Sequence, residues 1–571
     1  MGQDFSWLQL ALERKGYTPD YMREIQDCSC DTLLDVDRFS QFLYQHPDLV
    51  YTVLPDFDTD GDCAGIIGFA GLSELGFRCH LYTPIPDMGY GFGRKVIDRL
   101  LRLFPDTQVI VTCDHGIACH EGVAYAKSLG LYVLVTDHHP QDDDGDSGET
   151  KPLVCGDVVV DPMRVDDPYS HPQICGAYVL WKCLYQYALD YGTPYMHTQI
   201  WRLRVFAGIA TVGDQMPLVY ENRGLVRECI SICKMLVSDE NGLVEDMIAG
   251  CDVYVSAFHG LQIFLKCLVE VKNISRITEE LFAFYVSPMF NAVKRMDFSV
   301  SMVYQFFFGC QDDDERYALF EDWLELNENR KVVVSDYFDD MLEQEQLFAP
   351  YMYLSDAPPK ILGLLASKLM DGRTHPVFVV REDADGTLHG SGRSPEWLDF
   401  RDAIRRMPNQ GTIEVKGHAH AFALSLQRQD VEPLLTYLKE LAQLSGVSDS
   451  VDLVSNDLVI GDNPELCDHP FTLYSVVEYT YHIRDFEPFG AGFTRPGITL
   501  VFRTGALELS RLGKEGQHVK AVHWRTGFPI LSWNQDLDQI PTHDGYYWIR
   551  GDVSVSTFGG QLTTQFTGVF V

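Results

Sequence analysis

The sequence predicts an α/β protein: a parallel sheet covered by helices, a second α/β unit reached through a long helix, and a β-rich C-terminal region. Three observations carry this. Between about residues 50 and 235, short β-branched runs at 50–54, 79–83, 109–113, 132–136 and 157–160 alternate with helical stretches such as 93–103. That alternation is the pattern of a parallel sheet buried on both faces. A charged helical pattern then runs from about Glu315 to Gln346, carrying Trp323, Leu326 and Val332 to Val334, and suits a rigid connector. From about residue 470, runs at 497–502, 518–524, 546–555 and 563–571 lie between turns bearing Gly and Asp. Short strands so punctuated predict a small barrel or sandwich.

Taken in order, residues 1–45 read as a helical lead-in, 46–235 as the first α/β domain, and 236–347 as a helical region ending in the connector. Residues 348–432 form the second α/β domain, with a helix near 361–370 and a strand at 377–380, and 433–571 the β-rich domain. A chain of 571 residues with 46% hydrophobic side chains can bury several cores. It holds no uncharged apolar run of 18 residues, and its first residues lack a signal-peptide core, so neither a membrane span nor secretion is expected. Its 15 cysteines are scattered without a Cys-x-x-Cys pair. They read as reduced thiols of a cytoplasmic protein rather than a thiolate zinc site. The formal net charge of −37 argues against tight nonspecific duplex binding, although it leaves room for a local basic channel.

The chemistry is concentrated at strand ends. After the run at 50–54 comes Asp56-Phe57-Asp58-Thr59-Asp60-Gly61-Asp62. Alternating acids on an extended segment crowd carboxylates on one side, which is costly unless a cation lies between them. An EF-hand is excluded: the twelfth position from Asp56 is Ile67, not a bidentate Glu, and the preceding residues form a strand. Asp114-His115-Gly116 follows the third run, Asp137-His138-His139 the fourth, and Gly213-Asp214-Gln215 a further apolar segment. In an open α/β sheet the carboxyl ends of the strands define the ligand crevice. Asp56, Asp58, Asp60, Asp114 and His138 therefore converge on one rim. Mixed carboxylate and imidazole donors suit manganese or a similar ion, and so many acids suggest two ions, a set fitted to in-line displacement at phosphorus.

In this order the motifs resemble the DHH phosphoesterase superfamily, and within it the RecJ branch of single-strand exonucleases. The first motif is Asp56-Phe57-Asp58-Thr59-Asp60-Gly61, the second Asp114-His115-Gly116, the third Asp137-His138-His139 and the fourth Gly213-Asp214-Gln215-Met216-Pro217 with Glu221-Asn222-Arg223. Further similarity lies in Ser287-Pro288-Met289-Phe290-Asn291-Ala292 with Arg295, in Gly390-Ser391-Gly392-Arg393-Ser394, in Gly417-His418-Ala419-His420, and in Pro488-Phe489-Gly490-Ala491-Gly492. The resemblance implies a DHH domain and a DHH-associated domain joined by the long helix, with a C-terminal OB-fold. It implies a Mn2+- or Mg2+-dependent exonuclease that degrades single-stranded DNA 5′ to 3′, used in recombination and repair. Asp56, Asp58, Asp60, Asp114, His138 and Asp214 would hold the metals, with His139 at the phosphate or leaving oxygen. Arg295, Ser391, Arg393, Gly417, His418 and His420 would meet the strand. A monomer is expected, helped by a single-strand-binding protein and a helicase.

Three departures stand out. The resemblance calls for an Arg before Gly89-Tyr90-Gly91, but residues 84–88 carry none and the first basic residues are Arg94 and Lys95. His115 stands where a small or amide residue is usual. The Pro-Phe-Gly motif continues Gly492-Phe493-Thr494 where Asn is expected after the Gly. Two other readings compete: a superfamily hydrolase of short oligoribonucleotides or cyclic dinucleotides, and a catalytically silent scaffold. The intact acid set opposes the scaffold.

Overall fold

Strand β1 (Val50–Pro55) is buried at every position, as a strand with helices on both faces must be. Its neighbours are β2 (Arg78–Leu81), β3 (Val109–Cys113), β4 (Tyr132–Thr136) and β5 (Val158–Val160), in the order β2-β1-β3-β4-β5. All pairings are parallel, Thr52 facing His80 on one side and Ile110 on the other. The order reverses between β1 and β3, and at such a switch point the loops part and leave a crevice at the carboxyl ends. The computed structural model describes residues 6–27, 33–84, 91–141, 150–238, 250–296, 301–344, 346, 348–371, 373–395, 397–417, 420–445, 458–513, 516–533, 535–558 and 561–571.

Helices Thr59–Glu74, Arg94–Leu103 and His120–Ser128 lie between the strands in sequence. The second is amphipathic, burying Val96, Ile97 and Leu100, the spacing of one helical face. Helix Thr59–Glu74 is buried almost throughout and packs against Gly176–Tyr191 and Pro194–Gly213. A helical layer follows, in which Trp323 is fully buried among Phe264, Phe290 and Phe306, and its indole N–H donates to Met289 O at 2.7 Å. Among the described residues one helix, Asp252–Val271, is long and apolar enough to cross a membrane. It buries Tyr254, Ala257, Phe258, Leu261, Phe264, Leu265 and Leu268, which makes it a core helix of this layer.

The chain divides into two units, residues 1–324 with 454–571, and residues 325–453. Helix Asp313–Glu343 starts in the first and ends in the second. In the second unit β6 (Met352–Leu354), β7 (Val377–Glu382), β8 (Thr387–Arg393), β9 (Glu414–Gly417) and β10 (Ala421–Gln427) form one sheet in the order β6-β7-β8-β10-β9. The two-residue period of β7 separates two cores. Val377 and Val379 pack with Ile361, Leu362 and Leu365, while Phe378 and Val380 pack with Phe400, Val431 and Leu434.

The C-terminal strands from Leu458–Gly461 to Gln561–Phe570 make an eight-stranded mixed sheet. Ala11 of the first helix enters its core, and Arg14 forms a 2.6 Å ion pair with Asp468. Its junction with the region that bears the acid motifs is densely bonded. Arg223, 1% exposed, donates to Pro488 O at 2.6 Å and to Phe486 O, and its guanidinium lies 4.1 Å from the centroid of the Phe493 ring. Leu218 N donates to Ala491 O at 2.7 Å, and Phe489 N to Glu279 Oε1 at 2.9 Å. The fourth motif is therefore held by the Pro488-to-Gly492 turn. None of the cysteines among the described residues is in a disulfide, and Cys155 is exposed.

Removing a buried guanidinium leaves those carbonyls without donors, and such losses cost a few kcal/mol. Arg223→Leu is expected to lower unfolding stability by about 3 kcal/mol, read as a lower urea midpoint. An unchanged midpoint would show that the junction does not bear on stability.

Candidate metal centre

The acids align because each extends the parallel ladder by one residue. Asp56 N donates to Cys113 O at 3.0 Å, Asp114 N to Thr136 O at 3.0 Å, and Asp137 N to Val160 O at 3.1 Å. Three strand ends thus carry an Asp at the same level of the sheet. Asp58 caps helix Thr59–Glu74, accepting from Gly61 N at 3.0 Å. Asp60, in the first turn of that helix, accepts from Gly176 N at 2.7 Å and Ala177 N at 2.8 Å, the N-terminus of helix Gly176–Tyr191. A helix N-terminus is a natural seat for a carboxylate. Asp214 sits at the C-terminal cap of helix Pro194–Gly213, its N–H donating to Ala210 O.

Two glycines permit this crowding. A Cβ on Gly61 would lie 2.4 Å from the Asp56 carbonyl, and one on Gly176 would lie 2.6 Å from Asp114 Oδ1. Asp114 itself has φ 66°, the left-handed region that costs a non-glycine residue free energy and recurs at functional sites.

His138 Nε2 faces three carboxylates: Asp114 Oδ1 at 3.1 Å, and Asp60 Oδ2 and Asp214 Oδ2 at 3.6 Å. Three overlapping groups have donor atoms within 4.8 Å of one another: Asp56, Asp58 and Asp114; Asp60, His138 and Asp214; and Asp114, His138 and His139. Asp114 Oδ1 and Asp214 Oδ2 are buried with no hydrogen-bond partner. Unit charges about 4 Å apart repel by about 4 kcal/mol at an effective dielectric near 20. Orphaned carboxylate oxygens, an imidazole nitrogen turned toward them and this repulsion together fit divalent cations with oxygen and nitrogen ligands. Asp114 shared between groups fits two adjacent ions.

Burial and then the Asp58 charge push Asp60 up to about 7, despite its helix N–H donors. Burial first, then the neighbouring carboxylates, likewise raise Asp56, Asp114 and Asp214. Asp137 behaves oppositely. Burial works against its charge, but His139 and three backbone N–H groups outweigh it and hold it below the usual carboxylate range. His139 Nδ1 lies 2.8 Å from Asp137 Oδ1. Burial lowers its affinity for a proton, Asp137 more than compensates, and His139 is pushed up to about 10.

All six residues expected to hold metal, and His139, meet here. Arg295 ends helix Ser287–Arg295, but its side chain lies outside the described residues, as do His418 and the Gly89-Tyr90 part of the Gly-Tyr-Gly segment. Ser391 and Arg393 lie on β8 of the second unit, where Arg393 Nε donates to Ser367 Oγ at 3.0 Å. Gly417 ends β9 with φ 114°, and His420 is exposed. Arg94 lies over the Tyr125 ring at 4.8 Å.

Sequence reasoning passed over several residues. Asp161 follows β5 as Asp56 follows β1, so the same strand-end rule could have found it; it is fully buried and its Oδ2 has no partner. Asp62 is buried in the same helix turn as Asp58 and Asp60. Lys294 Nζ sits 3.7 Å from the centroid of the Phe57 ring. Only the fold brings it there, and no sequence signal marks it.

Between the ordinary carboxylate range and about pH 7, the metal-free fold retains on Asp60 a proton that the unfolded chain has lost, and Asp56, Asp114 and Asp214 are raised in the same direction. Their contribution to stability is full at low pH and is lost as pH rises through the raised values. A divalent ion takes over the protons' role. The gain in melting temperature on adding Mn2+ is expected to be larger at about pH 7.5 than at about pH 5.5. A gain that is flat or larger at the lower pH contradicts this assignment.

Comparison with known proteins fits the geometry. A family profile for the DHH family, N-terminal domain, matches residues 51–207, and one for the DHHA1 domain matches residues 347–444. The single-stranded-DNA-specific exonuclease RecJ of Salmonella typhimurium is 27% identical over 477 residues, 78% of this chain and 73% of that protein. RecJ of Haemophilus influenzae is 25% identical over 498 residues, 83% of this chain and 78% of that protein. The crystal structure of RecJ in complex with Mn2+ from Thermus thermophilus covers all of this chain and 78% of its own, with a TM-score of 0.68 and 20% identity. That likeness establishes the shared fold.

Proposed function

We propose that this chain, a RecJ-like member of the DHH family, is a single-stranded-DNA-specific exonuclease that hydrolyses phosphodiester bonds from the 5′ end. The observation that carries this reading is the convergence of Asp56, Asp58, Asp60, Asp114, His138 and Asp214 in one crevice with orphaned oxygens. Relatives similar over most of the chain carry the name of such an exonuclease.

Those six residues would hold two Mn2+ or Mg2+ ions, which when bound supply a nucleophilic water at neutral pH and neutralise charge on the reacting phosphate. The chain's own groups do the rest. Asp60 is fixed by helix N–H donors and Asp58 by its cap, so the ligands are held in place before the ions arrive. Water attacks the phosphorus of the second nucleotide, and the bond from phosphorus to O3′ of the first breaks. His139, kept protonated by Asp137 at its Nδ1, meets the leaving oxygen with its Nε2 edge and gives it a proton. The products are a 5′-mononucleotide and a strand that again ends in a 5′-phosphate.

In the second unit, Ser391 and Arg393 would take a phosphate near the 5′ end, a hydroxyl beside a guanidinium fork. Gly417, His418 and His420 would follow the strand's backbone, and Arg295 the scissile region. The division into a catalytic domain at 46–235, a DHH-associated domain at 348–432 and an OB-fold at 433–571 accompanies this reading, as do a cytoplasmic location and a monomeric state. With a net charge of −37, holding a substrate outside the crevice would fall to a single-strand-binding protein or a helicase.

Incubation with Mn2+ and single strands labelled at either end tests the proposal. Labelled mononucleotide is expected first from the 5′-labelled strand; release from the 3′ end alone, or none, contradicts it. Asp114→Ala is expected to cost more than the roughly hundredfold that loss of an outer-shell partner costs, with unchanged far-UV circular dichroism. Retained activity would place the nuclease centre elsewhere.

A further inference from the structure

We infer that Lys294 is a phosphate-contacting residue that sets affinity for the anionic strand at the metal crevice; this rests on the nuclease reading above. The ammonium lies 3.7 Å from the centroid of the Phe57 ring, and Phe57 stands between the metal-site acids Asp56 and Asp58. Its placement is built in two steps. Thr59 Oγ1, at the start of the acid-bearing helix, bonds Ser287 Oγ at 3.0 Å, and Asn291 Nδ2 donates to Ser287 Oγ at 3.2 Å. Ser287, Asn291 and Lys294 are spaced i, i+4, i+7 on helix Ser287–Arg295, so they share one face. The face anchored at the acid loop through Thr59 is therefore the face that delivers Lys294 to Phe57. Trp323 clamps the same helix through Met289 O at 2.7 Å.

The charge inventory calls for such a group. Asp56, Asp58, Asp60, Asp114 and Asp214 bring five negative charges, and two divalent ions return four positive. Asp137 and His139 cancel as a pair. The loaded crevice is then net negative before it receives a phosphodiester or a hydroxide. The cations that the sequence placed nearest this loop lie elsewhere: Arg94 is engaged on Tyr125 at 4.8 Å, and residues 84–88 contain no basic side chain. The cation–π seat on Phe57 fixes the ammonium beside the acid loop, where a phosphate brought to the ions would meet it in a charge-assisted contact.

The test compares Lys294→Met and Lys294→Arg with the wild type, using a 5′-phosphorylated oligothymidylate and Mn2+. Lys294→Met is expected to raise KM about tenfold, the worth of one charge-assisted contact, with kcat changed far less and the salt dependence of binding shallower by about one counterion. Lys294→Arg is expected to restore most of the affinity. Calorimetry should find Mn2+ affinity of the methionine variant within about twofold of wild type. An unchanged KM in Lys294→Met, or a tighter Mn2+ affinity as its only effect, overturns the proposal by making Lys294 a neutraliser of the acids alone. Wild-type cleavage in the same assay separates that outcome from failure of the nuclease reading, and a folded, active Lys294→Arg without rescue also counts against a phosphate contact.

Discussion

Repulsion among carboxylates at the carboxyl edge of the parallel sheet is the constraint on which the rest of this structure depends. Five aspartates and His138 occupy a crevice in which they fall into overlapping sets of three, the donor atoms within each set lying within 4.8 Å of one another. Folding alone offsets little of the resulting cost, because Asp114 and Asp214 keep buried oxygens without partners. The surrounding structure holds these acids against their mutual repulsion. Ladder hydrogen bonds extend one residue past β1, β3 and β4, a helix cap fixes Asp58, and the N-terminus of helix Gly176–Tyr191 grips Asp60. Glycine at 61 and 176 supplies the space, since a Cβ at either would strike the neighbouring Asp. A site so strained is preorganised for cations.

The support reaches well beyond the sheet. Asp214 follows the buried helix Pro194–Gly213, and its loop is tied through Leu218 and Arg223 to the Pro488-to-Gly492 turn of the C-terminal region. Thr59 and Ser287 link the acid helix to the helical layer, where Trp323 packs among aromatic rings. Residues hundreds of positions away in sequence thereby fix the position of single carboxylates.

Much of the centre was legible in the sequence because parallel strands buried on both faces read as continuous apolar runs, and the residue after each run falls on one rim. Asp56, Asp114 and Asp137 follow that rule, and so does Asp161, which carries neither the paired acid of Asp56 nor the adjacent histidine of Asp114 and Asp137. Asp60 was legible as part of an alternating triplet, whereas its bond to the helix at Gly176 was not, since 116 residues separate the partners. Lys294 was invisible for the same reason: a lysine in an amphipathic helix carries no signal until the tertiary fold sets it against Phe57. Strands β8 to β10 of the second unit were missed because their half-exposed alternation, interrupted by Gly390, Gly392 and Gly417, lacks a continuous apolar run. Strand β7, apolar over four residues, was plain.

The most direct test of this account is the number of divalent ions the crevice takes and where they sit. Calorimetric titration of the metal-free chain with Mn2+ should give two ions per chain, and Asp114→Asn, which removes the carboxylate shared between the groups, should abolish or sharply weaken both. Binding of two ions to Asp114→Asn with wild-type affinity, or no binding to the wild type, would contradict the claim that these carboxylates are held together to receive metal.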